Sequence, residues 1–391
     1  MRQLIEAEGQ LPLQRAARQP RFYRPELDGL RFYAFLGVFV CHTLPNDSKF
    51  YGSLHLPMPW IWAAVVRSGA AGVDLFFVLS AFLITSLLLR ERQDTGEISL
   101  RLFYLRRILR IWPLYFLVVG LGVLLAHTVP HRSHFWYYDP GLPWQYVAGY
   151  IFFVANWVYA VLGNTHSICA PLWTVSIEEQ FYLVWPALMK TLRPRGMIIA
   201  GILTFLLATL NQLALVWGGA TAGYAYYGSA ARCESLALGI LLALFVDRLP
   251  KLTGSIRFLL VGGGLIVWIC ASASLSDFVG PASLRMAWDR LLIALASAAI
   301  LYACLYSRSR LVTGGLIVRL GKISYGLYML HYAGLLITLS LLHPSSGWEL
   351  LAAKAMGFFV TVVLAFASYR WIESPFLRLK SRFAPVLSRP V

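Results

Sequence analysis

Charge is what this sequence has least of. Only 13% of its 391 residues are Asp, Glu, Lys or Arg, about half the roughly 25% of a soluble domain. Against that deficit, 58% are hydrophobic and 14% aromatic, a balance that excludes an ordinary water-soluble fold. Cysteine is scarce as well. Cys41, Cys169, Cys233, Cys270 and Cys304 are five in number and mostly sit inside apolar runs. They supply neither a disulfide framework nor a metal-ligand spacing, so no metal is expected. The first 24 residues lack the apolar core of a cleavable signal peptide. Internal repeats are missing, and no soluble domain is expected at either end.

Acidic residues are the scarcer sign, 18 against 34 Lys and Arg, which leaves a net charge of +16. In a soluble protein that excess would suggest nucleic acid. Here the basic residues crowd into short hydrophilic connections and the two tails, as the positive-inside bias of membrane proteins requires. Nucleic-acid binding is therefore not expected.

What is abundant is apolar sequence of membrane length. Eleven segments qualify: 28–46, 69–89, 108–127, 144–162, 172–189, 197–217, 229–246, 258–275, 287–306, 323–342 and 350–370. Basic stretches fix their orientation. These are the N-terminal arm, Arg90 to Arg110, Lys190 to Arg195, Asp247 to Arg257, Arg308 to Lys322, and the tail from Arg370. All can face the cytoplasm only if 144–162 and 172–189 together make one net crossing. The expectation is an all-α polytopic membrane bundle of about ten spanning helices, both termini cytoplasmic, with one of those two segments re-entrant or interfacial. Residues 1–24 form a basic cytoplasmic arm, 25–376 the membrane domain and 377–391 a basic cytoplasmic tail.

One stretch organises the rest. Arg24 to His42 begins charged, becomes apolar and ends on a histidine inside the apolar run. Arg31 and His42 are eleven positions apart, so on a helix they share a face at roughly 16 Å axial separation. Ionisable groups are costly in lipid and mark function by default; headgroup snorkelling and a simple interhelical bond are the bland alternatives. Counting depth puts Asp74, in Gly72–Ser80, level with His42 on the next helix. A carboxylate on one imidazole nitrogen would fix the tautomer and leave the other a better base; an interhelical hydrogen bond is again the bland alternative.

Arg106, Arg107 and Arg110 open the third segment at the depth of Arg31. Charge runs at such a place usually signal topology, but arginine forks also suit phosphate, and Arg110 lies further into the apolar run. Leu172 to Pro186 carries Glu178 and Glu179, which cannot share a helix face. One is expected at the site and the other on a partner such as Arg232, for which an ion pair with Glu234 is the alternative. Ser80 and Ser176 are conceivable nucleophiles, though membrane serines commonly serve as interhelical glue. Tyr325, Tyr328 and Tyr332 form a stripe with His331 beside it, a pattern that usually means packing. His127, His131, His134 and His343 show no ligand spacing.

These pieces together resemble the acyltransferase-3 family of integral-membrane acyl-CoA-dependent O-acyltransferases. The matching stretches are Leu27 to Arg31 with His42, Gly72 to Ser80, Arg106 to Arg110, Leu172 to Pro186, Arg232 to Gly239, Ser324 to Tyr332, and Glu373 to Phe376. The resemblance implies transfer of an acyl group, commonly acetyl, from cytoplasmic acyl-CoA to a hydroxyl of an envelope or secreted glycan or glycolipid at the inner membrane. By it, His42 is the catalytic histidine, and Arg31, Arg107 and Arg110 help hold the coenzyme. Asp74 and Glu178 match further functional acidic positions. Ala81 departs from the family's usual glycine, and without the extracytoplasmic esterase-like domain of longer members the membrane part would carry any reaction alone.

Two other classes compete. A transporter or flippase would use buried His and acidic groups to relay protons or guide a lipid-linked sugar, but inverted repeats are missing. A non-catalytic member would bind donor without transfer. A homo-oligomer is compatible with the sequence but not indicated by it.

Overall fold

The computed structural model describes residues 23–128, 142–165, 167–272, 280–381 and 383. The arm up to residue 22, His131, His134 and most of the tail beyond residue 381 lie outside the described residues. Helix α1 (Pro25–Thr43) leads through two short helices, α2 (Ser48–Ser53) and α3 (Pro59–Ser68), and a 3-10 turn into α4 (Gly72–Thr95). There follow α5 (Leu100–Thr128), α6 (Trp144–Ile151), α7 (Ala155–Leu162), α8 (Leu172–Thr191) and α9 (Pro194–Trp217). After the short α10 (Ala222–Tyr227) come α11 (Cys233–Phe245), α12 (Gly254–Ala271) and α13 (Leu284–Cys304). The chain closes with α14 (Arg310–Thr313), α15 (Gly315–Lys322), α16 (Ser324–Leu342), α17 (Gly347–Ser368), a π-helical turn and α18 (Ser374–Ser381). A single antiparallel bridge, Thr221 to Pro281, is the only β pairing among the described residues.

Among the described residues, seven helical stretches are long and apolar enough to cross a membrane: Pro59–Thr95, Leu100–Thr128, Pro194–Trp217, Gly254–Ala271, Leu284–Cys304, Ser324–Leu342 and Gly347–Lys380. The fold is thus an all-helical, multi-pass membrane bundle. Helices α1, α8 and α11 fall outside that set for a physical reason. The first carries Glu26, Asp28 and Arg31, the second Glu178, Glu179 and Lys190, and the third is only 13 residues long. They are inner helices. Phe35 and Val38 of α1 are fully buried, whereas Ile199, Leu203, Leu207 and Leu210 of α9 are exposed on a lipid-facing flank.

Without a hydrophobic drive between helices in lipid, close packing and polar bonds hold such a bundle. Helix α1 packs on α4, α15 and α16, and α4 packs closely on α11. At the α4–α11 crossing, a Cβ on Gly239 would stand 2.9 Å from Ala81 Cβ. The alanine at 81 is therefore accommodated by a glycine on the facing helix. On the other side, Lys354 of α17 donates from Nζ to the Thr43 carbonyl, tying α17 to the end of α1.

Of the two segments of which one is expected not to cross, 144–162 is the one that is broken. Residues 144–162 form two eight-residue helices, α6 and α7, each about 12 Å long and too short to span. Phe153 between them takes a left-handed backbone, φ 54°, uncommon without glycine. Irregular backbone at membrane depth must be paired within the protein, and α8 supplies the pairing. Gln180 donates from Nε2 to the Phe153 carbonyl at 2.8 Å and to Asn156 Oδ1 at 3.0 Å. Asn156 in turn donates to the Tyr227 carbonyl and to Ser229, whose hydroxyl reaches Gln180 Oε1. Segment 172–189 is by contrast one continuous helix of 20 residues.

Candidate active site

Five helices, α1, α4, α5, α8 and α16, enclose a cavity at the end of the bundle where α1 begins. Arg31 comes from α1, Ser80 from α4, Arg107 and Arg110 from α5, and Glu178 with Tyr182 from α8. The arginine spacing on α5 explains its division of labour. Arg107 and Arg110 are three apart and share the cavity face, whereas Arg106 turns away. Arg106 pairs with Glu91 at 2.7 Å, both buried, and reaches the Phe383 carbonyl at 3.1 Å. It is structural.

The cavity arginines are differently placed. Arg31 leans on Asp28 at 3.3 Å. Arg107 lies over the rings of Phe103 and Tyr182, and its Nε is buried with no hydrogen-bond partner. Arg110 makes no hydrogen bond or ion pair to any described residue. Like-charged guanidiniums held this close repel one another. Two acidic groups line the cavity with them: Asp28, already against Arg31, and Glu178, which is attracted to Arg31 and Arg110. Tyr182 joins Glu178 to α4: its hydroxyl donates to Glu178 Oε2 at 3.2 Å and meets Ser80 Oγ at 2.5 Å. Glu179 is not part of the cavity lining. Chemically the chamber presents unspent cationic donors of a kind that suit an anion.

The apolar α4 side chains Phe76, Leu83, Ile84 and Leu87 line the wall of this chamber, with Thr174 and Tyr328 also on it. Thr174 and Tyr328 bond each other through their hydroxyls at 2.9 Å. On Tyr328 packs His331, ring centroids 5.8 Å apart, and on His331 lies His42. His42 Nδ1 and His331 Nε2 are 3.0 Å apart. The rings are within 12° of coplanar with centroids 5.3 Å apart, which is the nitrogen–nitrogen distance plus two ring radii. The hydrogen bond therefore runs in the plane of both imidazoles. His331 Nδ1 meets the Tyr328 carbonyl at 2.7 Å. His331 is fully buried, while His42 is only partly so and its Nε2 has no hydrogen-bond partner among the described residues.

Asp74 requires a correction. The expected His42–Asp74 pair does not form. Asp74 is buried against Arg232, whose Nη1 is 2.9 Å from Oδ2, and accepts from Ser235 Oγ at 2.8 Å. Arg290 adds a second guanidinium at 3.9 Å. Equal depth on neighbouring helices did not fix rotation about the helix axis, and two arginines from α13 and the turn before α11 claim the carboxylate. Arg232 accordingly pairs with neither glutamate proposed for it, and Glu234 accepts from Thr209 instead. The residue the sequence reading missed is His331. Its signal was available: like His42, it is an ionisable group deep in an apolar helix.

A family model described as an acyltransferase domain matches residues 24–370. A Staphylococcus aureus (strain MRSA252) protein provisionally named an O-acetyltransferase is 28% identical, over 94% of this chain and 61% of its own length. A Bacillus subtilis (strain 168) protein provisionally named a peptidoglycan O-acetyltransferase is 30% identical, over 90% of this chain and 55% of its own. The peptidoglycan O-acetyltransferase of Listeria monocytogenes (serovar 1/2a) is 27% identical, over 93% and 57%. The chain thus matches little more than half the length of these relatives. No solved structure matches it. Because the family match runs from the start of α1 to the end of α17 and takes in both the arginine chamber and the histidine pair, the chain belongs to the acyltransferase-3 family.

Proposed function

We propose that this protein is a membrane O-acyltransferase that takes an acyl group, acetyl in the first instance, from cytoplasmic acyl-CoA to a hydroxyl of a cell-envelope glycan such as peptidoglycan. The observation that carries this reading is the chamber in which Arg107 and Arg110 hold unpaired donors beneath the histidine pair. The relatives' names favour O-acetylation. The coenzyme's phosphates bind Arg31, Arg107 and Arg110, and its pantetheine arm follows the apolar wall of α4 toward Tyr328. Arg31 and His42 are roughly 16 Å apart along α1, a span suited to an extended arm. Glu178, tied to α4 through Tyr182 and Ser80, offsets the mutual repulsion of the arginines while the chamber is empty.

The acceptor hydroxyl hydrogen-bonds to His42 Nε2, and its oxygen attacks the thioester carbonyl carbon as its proton passes to that nitrogen. The tetrahedral intermediate expels the coenzyme A thiolate, which takes the same proton from Nε2. The products are an ester on the glycan and free coenzyme A. Asp74 serves the site from a distance by holding α4 against α11 and α13.

Adding α1, α8 and α11 to the seven apolar stretches gives about ten crossings of the inner membrane. Residues 25–376 form the membrane domain, with both basic ends cytoplasmic. The test uses purified protein in lipid with radiolabelled acetyl-CoA and an extract of envelope glycans. Label should reach a sugar product with wild type and not with His42→Ala. Movement of a lipid-linked sugar without any requirement for acyl-CoA would replace this reading by transport.

A further inference from the structure

We propose that His331 is a positioning residue which, through the Tyr328 main-chain carbonyl, forces His42 into the one tautomer that leaves its Nε2 lone pair free. The inference rests on the acyl-transfer reading only for its catalytic use; the tautomer itself follows from partner chemistry. A carbonyl oxygen has no proton to give, so the Tyr328 carbonyl can only accept, and His331 Nδ1 must carry the hydrogen of that 2.7 Å bond. A neutral His331 then has its lone pair on Nε2. That lone pair faces His42 Nδ1 at 3.0 Å, so His42 Nδ1 must be the donor. A neutral His42 with its hydrogen on Nδ1 has its own lone pair on Nε2, the nitrogen left without a partner.

The surroundings support a neutral His331. Its ring neighbours are Phe35, Phe39, Tyr328 and Tyr332, and an imidazolium buried among them would have no carboxylate partner among the described residues. A carboxylate in the same place would select the same tautomer but would bring a buried anion to membrane depth, where charge is expensive. The imidazole does the selecting without that cost. It also fixes orientation, because the shared plane of the two rings holds the direction of the His42 lone pair. When His42 takes the acceptor's proton, the resulting imidazolium keeps donating from Nδ1 into the His331 lone pair, a bond strengthened by the new charge.

The first test is nitrogen-15 magnetic resonance of the protein labelled at histidine, in lipid, with His42→Ala and His331→Phe variants assigning the two signals. Protonated Nδ1 and unprotonated Nε2 on both rings are expected. A hydrogen on His42 Nε2 in the wild type overturns the inference, and needs no variant to fold. The second test is kinetic. His331→Phe cannot accept a hydrogen bond and should lower kcat by about 10²- to 10⁴-fold, with the KM for acetyl-CoA changed less than about threefold. His331→Gln, whose Oε1 can occupy the position of the lost Nε2, should recover at least about tenfold of that loss. A Gln variant that folds yet is no better than Phe, or a Phe variant with full kcat, overturns the positioning role. Transfer that survives in His42→Ala would refute the acyl-transfer role of His42, while the resonance result still reports on the tautomer separately.

Discussion

Two arginines four positions apart on α5 should behave in opposite ways when removed. Arg110 makes no hydrogen bond or ion pair to any described residue and sits beside other guanidiniums, so Arg110→Ala leaves no orphaned hydrogen-bond partner, and the attraction to Glu178 that it loses is offset by relieved repulsion. Its effect on stability should stay within about 0.5 kcal/mol. What it loses is a charge-assisted bond to the donor, about 1.5–3 kcal/mol, or about 10- to 150-fold in affinity for acyl-CoA. Arg106→Ala reverses the pattern. It strands Glu91, whose side chain is only 4% exposed, at a cost of about 3–5 kcal/mol. The fraction that remains folded should bind donor normally. The assay is acyl-CoA titration of each variant in nanodiscs, paired with denaturation of the same samples. An Arg110→Ala protein with wild-type donor affinity would refute the phosphate assignment.

Further expectations attach to the other contacts. Asp74→Ala should cost about 3–5 kcal/mol by leaving Arg232 and Arg290 buried without their carboxylate; denaturation midpoints check it, and an unchanged midpoint with lost turnover would return Asp74 to the chemistry. Gly239→Ala should destabilise by about 1–3 kcal/mol through overpacking against the Val78 carbonyl and Ala81. Ala81→Gly in the same chain should restore little of that loss, because the Val78 carbonyl stays in the way, again read as a midpoint. Gln180→Ala should free the Phe153 carbonyl and Asn156 at about 1–3 kcal/mol. Hydrogen exchange confined to residues 150–160 would register that opening, and unaltered exchange there would contradict it.

The large features were legible because they are local or additive. The ionisable ends of α1 singled out Arg31 and His42, which the structure places on the chamber and against His331, and counting basic connections required that 144–162 and 172–189 not both span. The spacing of Arg107 and Arg110 put both on one face, and the chamber gathers them with Arg31 and Glu178. What could not be read is rotation. Depth placed Asp74 level with His42, but helix faces are set by packing among α4, α11 and α13, and the carboxylate turned toward Arg232. The histidine that does meet His42 is 289 positions away, in a stripe of tyrosines whose ordinary explanation is packing. Helix limits also differed. The second segment, expected at 69–89, extends as one helical stretch over Pro59–Thr95, because the small residues Gly69, Ala71 and Gly72 let the chain run through a 3-10 turn without breaking.

The most direct measurement is sided transfer in proteoliposomes of known orientation. Labelled acetyl-CoA is supplied on one face and an oligosaccharide acceptor on the other, with His42→Ala run in parallel. Product should form only when the coenzyme is on the face of Arg31, Arg107 and Arg110, and only with His42 present. Equal product with donor on either face, or undiminished product from His42→Ala, would contradict a donor chamber joined to a histidine base.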